Sequence, residues 1–299
     1  MKRVTLLRRL ARRSVLLLPD IPCTVRVQGI GPVRMRLRRH VGIWGRSLLE
    51  RPTPDLGMLE RLIQVGDVVY DVGAHIGLYS RVMVQWFKAG QVIAFEPMKD
   101  NVELLHANVL LLNQNDKIRI FAVALSDCDG TEQLQVDDVT SGTAVLNRVS
   151  GGKASKARQR RGLPPKTETV EVVQLDRLVE RESLRPPNVI KIDTEGAAGL
   201  VVRGARCTLQ RAKPRLVIAL HNPQESSAVL ELVSPLGYAC YGPVLDQGQE
   251  VYRRLEPRDA PYIPKCDMVC SCRPEEVSQP IAPLRQIPQR APSSPRRGR

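Results

Sequence analysis

Apolar positions along the chain follow three spacings in turn, and each predicts a different element. From Thr24 to Leu37, Val25, Val27, Val33, Met35 and Leu37 alternate with Arg26, Arg34, Arg36 and Arg38. That period of two predicts a β-hairpin turned at Gly29 to Pro32, with one buried and one basic face. Upstream, Val4, Leu7, Leu10, Ala11, Ser14, Leu17 and Leu18 fall at helical spacing opposite Arg8, Arg9, Arg12 and Arg13, and Pro19 ends the segment. From Leu56 onward, short continuous apolar runs alternate with helical stripes. Helices are predicted over Leu56 to Ile63, Asp100 to Leu112, Asp176 to Glu182, Ala197 to Arg211 and Ser226 to Val233. Strands are predicted over Asp67 to Val72, Gln91 to Phe95, Ile118 to Leu125, Asn188 to Asp193 and Arg215 to Leu220. Tyr238 to Val244 and Glu250 to Leu255 read as a terminal hairpin.

Strand and helix in alternation imply right-handed crossovers, hence an α/β fold with a mostly parallel sheet, helices on both faces and an antiparallel end. The rhythm breaks only over residues 131 to 173, where strand-like pieces around Leu134 and Val170 to Val173 flank a Gly- and Lys-rich loop at 150–166. This divides the chain into a basic helix and hairpin extension (1–55), an α/β domain (56–255) and a Cys-containing, Pro/Arg-rich tail (256–299). The end of the tail is too polar and Pro-rich to bury a core.

Charge sharpens the division. The net charge is +14, but residues 1 to 46 hold 12 Lys/Arg against Asp20 alone, and residues 273 to 299 hold six Arg against Glu275 and Glu276. The domain between is close to neutral, apart from Lys153, Lys156, Arg158, Arg160, Arg161 and Lys166. Such appendages solubilise a chain or bind polyanions loosely. They raise a nucleic-acid partner as an alternative to a small-molecule acceptor, and residues 1–18 raise peripheral membrane contact. No apolar run approaches the roughly 18 residues of a membrane span. The seven cysteines show no paired framework, so Cys128, Cys207 and Cys240 read as core thiols in a reducing cytoplasm. Cys266, Cys270 and Cys272 lack a fourth ligand, and no metal is expected.

The chemistry centres on Asp71-Val72-Gly73-Ala74-His75-Ile76-Gly77. A buried strand ends in a carboxylate, and two glycines four apart lead into a helix, where a ligand approaches backbone closely. Glu96 closes the next strand, in position to accept hydrogen bonds from ribose hydroxyls. A dinucleotide site wants G-x-G-x-x-G around a pyrophosphate. This string has one glycine too few, and its acid would repel phosphate. Asp71 suits instead the cationic, amine-bearing methionine part of S-adenosylmethionine.

Five strings in order then resemble the FkbM family of S-adenosylmethionine-dependent methyltransferases: 65–77, Ala-Phe-Glu-Pro (94–97), Ala-Leu-Ser-Asp (124–127), Leu-Asp-Arg-Leu (175–178) and Ile-Lys-Ile-Asp-Thr-Glu-Gly (190–196). The resemblance implies a class I (Rossmann-like) methyltransferase fold and O-methylation of a hydroxyl on a sugar, glycan or natural product. It places Asp71, Gly73, Ala74 and Gly77 along the methionine part, Glu96 on the ribose, and Ser126 and Asp127 near the adenine; His75, within the same turn, reads as a packed or wall-forming histidine of the cofactor site. An alcohol is a weak nucleophile and needs a base. Asp193 and Glu195 follow a central strand and His221 ends its neighbour, where open α/β sheets place ligands. Asp193 or His221 is the expected base, with His221 the better match to neutral pH. The family pattern usually carries further acids where this chain has Ala198 and Ala219. Besides an O-methyltransferase and an RNA methyltransferase using the basic appendages, their loss raises a third reading, a cofactor-binding relic without catalysis.

Overall fold

The computed structural model describes residues 20–27, 30–40, 43, 54–137, 143–149, 158–159, 162–246, 249–263 and 265–278. The amphipathic segment 1–18, most of the basic 150–166 stretch and the tail beyond 278 lie outside the described residues. The alternating segment forms a hairpin, β1 (Pro22–Val27) and β2 (Gly31–Arg36), with Val25 opposite Val33. Val27, Val33 and Met35 pack with Leu56, Ile76 and Val82, while Arg26 and Arg34 are exposed.

The βα rhythm then runs through α1 (Pro54–Leu62), β3 (Val68–Val72), α2 (Leu78–Gln85), β4 (Gln91–Phe95), α3 (Lys99–Val109) and β5 (Ile118–Phe121). The single strand expected over 118–125 is divided here, because the chain leaves the main sheet after Phe121. Its continuation, β6 (Ala124–Ser126), joins β7 (Gly130–Asp137), β8 (Thr143–Leu146) and β9 (Thr167–Gln174) in a second sheet of order β6-β9-β7-β8. The strand-like pieces around Leu134 and Val170 are its middle strands. The chain returns through α4 (Leu175–Arg181), β10 (Val189–Ile192), α5 (Ala198–Gly204), α6 (Arg206–Ala212), β11 (Arg215–Leu220) and α7 (Pro223–Val233). The helix expected over 197–211 breaks at Ala205, whose φ of −110° and ψ of 8° leave the helical region. It closes with β12 (Ala239–Asp246), β13 (Gln249–Leu255) and β14 (Cys266–Ser271).

The main sheet has the order β13-β12-β14-β11-β10-β3-β4-β5. Strands β5, β4, β3, β10 and β11 are parallel, and β14 is antiparallel to both β11 and β12. Both faces are covered, which explains the continuous apolar runs. Val68, Tyr70 and Val72 face α5, α6 and α7, packing among Val201, Leu209 and Val229. Val69 and Ala94 face the other way, toward Met58, Leu59, Met83 and Leu105 of α1, α2 and α3. Each such Val, Leu or Met side chain contributes about 1.5–3 kcal/mol on burial.

The strand direction reverses its march between β3 and β10. The chain fills β4 and β5 on one side, then β10 and β11 on the other, and this switch point opens at the carboxyl ends of the strands. The amino ends are stitched shut instead. Asn188 donates to Val68 O and accepts from Val68 N, each at 2.8 Å, and Arg215 pairs with Asp67 at 2.8 Å in a buried ion pair.

Residues beyond 255 require a correction. They do not begin a tail: β14 is inserted into the sheet, with Met268 opposite Ile218 and Cys270 opposite Leu216. The β12–β13 hairpin exists but is not terminal. The strand escaped notice because Cys-Asp-Met-Val-Cys-Ser is short and lacks a β-branched majority. A second correction concerns Cys240, expected as a core thiol. It faces Cys270 directly across β12 and β14, and the two form a disulfide with Cα atoms 4.1 Å apart. The cysteine-based reading of a reducing compartment loses its ground. Among the described residues no helix is long and apolar enough to cross a membrane.

The bond closes a loop of 30 residues, worth about 3–4 kcal/mol on the loop-entropy scale. Denatured, unreduced protein should therefore titrate only Cys23, Cys128, Cys207, Cys266 and Cys272, with all seven thiols appearing after reduction. Seven thiols before reduction would remove the bond.

Candidate active site

A cavity of about 250 Å³ opens at the switch point, under the second sheet. Its floor comes from Val72, Gly73 and Ala74 after β3, its sides from Glu96 after β4 and from Lys191, Asp193, Thr194 and Glu195 on and after β10. Leu134, Ala144 and Leu146 of β7 and β8 form an apolar roof.

The two glycines of the motif are required by protein packing. Gly73 has φ 77°, and a Cβ there would overlap the carbonyl oxygen of Asp193. Gly77 has φ 83°, and its Cβ would overlap Leu105 of α3. They let the first loop lie against β10 and let α2 start against α3. Gly73 N and Ala74 N both donate to Phe95 O at 3.0 Å. His75, at φ 54°, donates its N–H to Glu96 Oε2 at 2.9 Å and lines the cavity. Its ring stands 5.2 Å from that of His40. His40 is buried, and burial followed by the neighbouring His75 pushes its pKa down to about 3.

Glu96 is a buried carboxylate on the cavity wall. Oε1 accepts from Met98 N at 3.0 Å and from the Asn101 amide at 3.3 Å. Burial outweighs these bonds and pushes its pKa up to about 7.

Asp71 takes a different place from the one its position suggests. It is fully buried, accepts from Ser80 Oγ at 2.6 Å, pairs with Lys191 Nζ at 3.3 Å and does not line the cavity. Ser126 and Asp127 also lie off the cavity wall. Ser126 is buried and takes a hydrogen bond from the Arg148 guanidinium, and Asp127 pairs with Arg148 at 2.9 Å and Arg203 at 3.1 Å. They tie the second sheet to α5, while their neighbours Ala124 and Leu125 reach the cavity.

Asp193, Glu195 and His221 are brought together. His221 Nε2 lies 3.6 Å from Asp193 Oδ1 and 3.5 Å from Glu195 Oε2. Glu195 and Gly196 have positive φ, 48° and 110°, in a strained turn that aims the acid at the ring. Behind the ring stands Glu225, whose significance an i,i+4 His-Glu spacing alone does not reveal. Its side chain is buried, with Oε2 3.5 Å from His221 Nδ1 and accepting His221 N at 2.8 Å, and Oε1 accepting Ala198 N at 3.0 Å. Nδ1 is buried without a hydrogen-bond partner among the described residues. The 3.5 Å separation is an ion-pair distance rather than a hydrogen bond. Lys191 was also missed, its only signal being a lysine inside the apolar run Val-Ile-Lys-Ile. Asn222, of the string Asn-Pro-Gln, caps α7 by accepting Glu225 N at 2.8 Å.

The sequence model described as "Methyltransferase FkbM domain" matches residues 71–241, more than half of the chain. The chain belongs to the FkbM methyltransferase family. Its fold is the Rossmann-like fold of class I methyltransferases, and its cofactor is S-adenosylmethionine. A solved FkbM methyltransferase from Methylobacillus flagellatus KT is 18% identical over 69% of this chain, at a TM-score of 0.42, and this chain spans 43% of its length. A putative methyltransferase from Streptococcus mutans in complex with SAH is 10% identical, covering 72% of this chain and 93% of its own, at a TM-score of 0.40. A SAM-dependent O-methyltransferase from Thermotoga maritima is 11% identical, with coverages of 85% and 77% and a TM-score of 0.41. No curated protein matches.

The cavity fits the cofactor. It presents the Glu96 carboxylate after β4, an apolar roof and a buried Thr194 hydroxyl without a hydrogen-bond partner among the described residues. Glu96, with its pKa raised to about 7, must be ionised to accept from two ribose hydroxyls. Cofactor affinity should rise as pH increases through about 7, and Glu96→Gln should flatten that rise. Stability should move the opposite way. A carboxyl raised in the folded state stabilises fully below its unfolded pKa, and that contribution is lost as pH climbs through about 7. Calorimetric titration of both proteins across this range checks the first claim and thermal melts the second.

Proposed function

We propose that this FkbM family member is an O-methyltransferase whose acceptor is a hydroxyl of a sugar, glycan or natural product. One observation carries the reading: the His221 imidazole, held between the carboxylates of Asp193 and Glu195 beside the cavity. The cofactor supplies a methyl group already activated on a sulfonium. The chain's own work is to align the acceptor oxygen with it and to remove the proton. His221 Nε2 accepts that proton as the oxygen bonds the methyl carbon and the carbon–sulfur bond breaks. Asp193 and Glu195 stabilise the resulting imidazolium, and Glu225 fixes the ring from the Nδ1 side.

The relic reading is less well supported. Glu225 brings a carboxylate to the amide of Ala198, and the β11–β14 register sets Asp267 opposite Ala219. A carboxylate thus reaches the first of the two positions from α7, and an acid is the strand neighbour of the second. Amino-group methylation, which uses an Asn-Pro-Pro-aromatic string, is disfavoured: the one similar string, Asn222-Pro223-Gln224, lacks the aromatic, and Asn222 caps α7.

The reading is tested by incubating the protein with methyl-labelled S-adenosylmethionine and host extract, then identifying the product by mass spectrometry. A methyl ether on a hydroxyl is expected; label in RNA, or none consumed, would sink the reading. His221→Ala should lower kcat by about 10²–10⁴-fold, the range of general-base catalysis, with cofactor affinity nearly unchanged. Equal turnover of mutant and parent across the pH range would remove it as the base.

A further inference from the structure

The charges lining the cavity are unequal. Its carboxylates are Glu96, Asp193 and Glu195, and its one lysine or arginine among the described residues is Lys191. The Lys191 side chain is 4% exposed, with Nζ 3.3 Å from Asp71 Oδ1, 3.9 Å from Asp193 Oδ2 and 4.7 Å from the centre of the Tyr79 ring. Lys191 and Asp71 are register partners on β10 and β3, so both side chains leave the same face of the sheet. Asp71 is also held by Ser80 and stays off the cavity wall. The acid at the end of β3 therefore has its cation inside the protein, and the group offered to a ligand at that corner is an ammonium. Beside it, Thr194 adds a buried hydroxyl with no hydrogen-bond partner among the described residues.

S-adenosylmethionine carries two positive centres, the sulfonium and the α-ammonium, and one negative centre, the α-carboxylate. With Glu96 set apart for the ribose, two acids, Asp193 and Glu195, and one cation, Lys191, complement that set. We propose that Lys191 binds the α-carboxylate of the methionine part, with the Thr194 hydroxyl as a second donor. Asp71 is then the counter-ion that keeps Lys191 charged and in place, rather than a ligand of the methionine amine. Lys191 thereby selects a cofactor that retains its carboxylate. This inference rests on the cofactor occupying this cavity and is independent of the acceptor.

Calorimetric titration of the full chain with S-adenosylmethionine and with its decarboxylated form tests it. The parent protein should prefer the intact cofactor by about 10–100-fold, the worth of one charge-assisted hydrogen bond shielded from water. Lys191→Met should reduce that preference to about twofold or less, by weakening the intact cofactor and leaving the decarboxylated one nearly unchanged, as loss of that one bond requires. Lys191→Arg should keep most of the preference. Because Lys191→Met leaves the Asp71 carboxylate buried without its lysine, the same titrations are made on the double variant Lys191→Met/Asp71→Asn, which balances charge and should behave alike. Equal weakening of both ligands would show a purely structural role and overturn the assignment. So would the parent preference surviving in Lys191→Met or in the double variant. A parent protein that binds neither ligand would fail differently, removing the cofactor from this cavity altogether.

Discussion

The pair of Asp71 and Lys191 is the constraint on which the centre of this molecule depends. Two opposite charges lie between the sheet and α2, with side-chain exposures of 0% and 4%. Taking either ion out of water costs several kcal/mol, and their attraction offsets this only with good geometry and further hydrogen bonds. Ser80 supplies one, and the Tyr79 ring lies under the ammonium. Both come from the first turn of α2, so that helix can start only where Gly77 lets it sit against Leu105. Sliding β3 by one residue against β10 would put Asp71 on the opposite, wholly apolar face. The pair thus fixes the register at the switch point while leaving the cavity with a positive corner.

The second sheet works by a different division of labour. A polar knot joins Ser126 and Asp127 at the end of β6, Glu132 of β7 and Arg148 after β8 to Arg203 of α5. The sheet's inner surface gives Leu134, Ala144 and Leu146 to the cavity. The knot anchors the apolar roof to β6 and α5, and Gly204 packs against the Ser126 carbonyl with no space for a side chain. A roof held this way presents an apolar surface to the cavity without contributing charge. Residues that a sequence string marks as cofactor contacts can therefore act one step away, through the strand they hold in place.

Much of this was legible because burial on both faces of a parallel sheet leaves a plain signature. Strands β3, β4, β10 and β11 are continuous apolar runs, and the turn after β3 is marked by Gly73 and Gly77. Asp193, Glu195 and His221 were traceable as residues at the ends of adjacent strands. What was hidden is what depends on pairing between distant segments. Strand β14 has no pattern of its own; it is a strand because β11 and β12 both offer open edges to it. The Cys240–Cys270 bond follows from that insertion and from nothing in cysteine spacing. Asp71 was read as an acid open to a cationic ligand because its partner is separated from it by 120 positions. Glu225 was invisible for a similar reason, since its meaning lies in the Ala198 amide.

Glu225 also shows why a substitution in a motif need not remove its chemistry. Its two oxygens accept the backbone N–H groups of Ala198, at the start of α5, and His221, at the end of β11. One carboxylate thus satisfies a helix terminus, fixes the end of a strand and stands 3.5 Å from Nδ1 of the ring. An acid side chain at position 198 would have competed for the same small volume, where Ala198 is now fully buried. The alanine and the glutamate are therefore best understood together: the small residue makes room, and the carboxylate arrives from α7. Carrying the charge on α7, whose start is fixed by the Asn222 cap and Pro223, sets its position by the helix rather than by the strained Glu195–Gly196 turn. The back of the ring thus faces a carboxylate set by a helix, and its front faces Asp193 and Glu195.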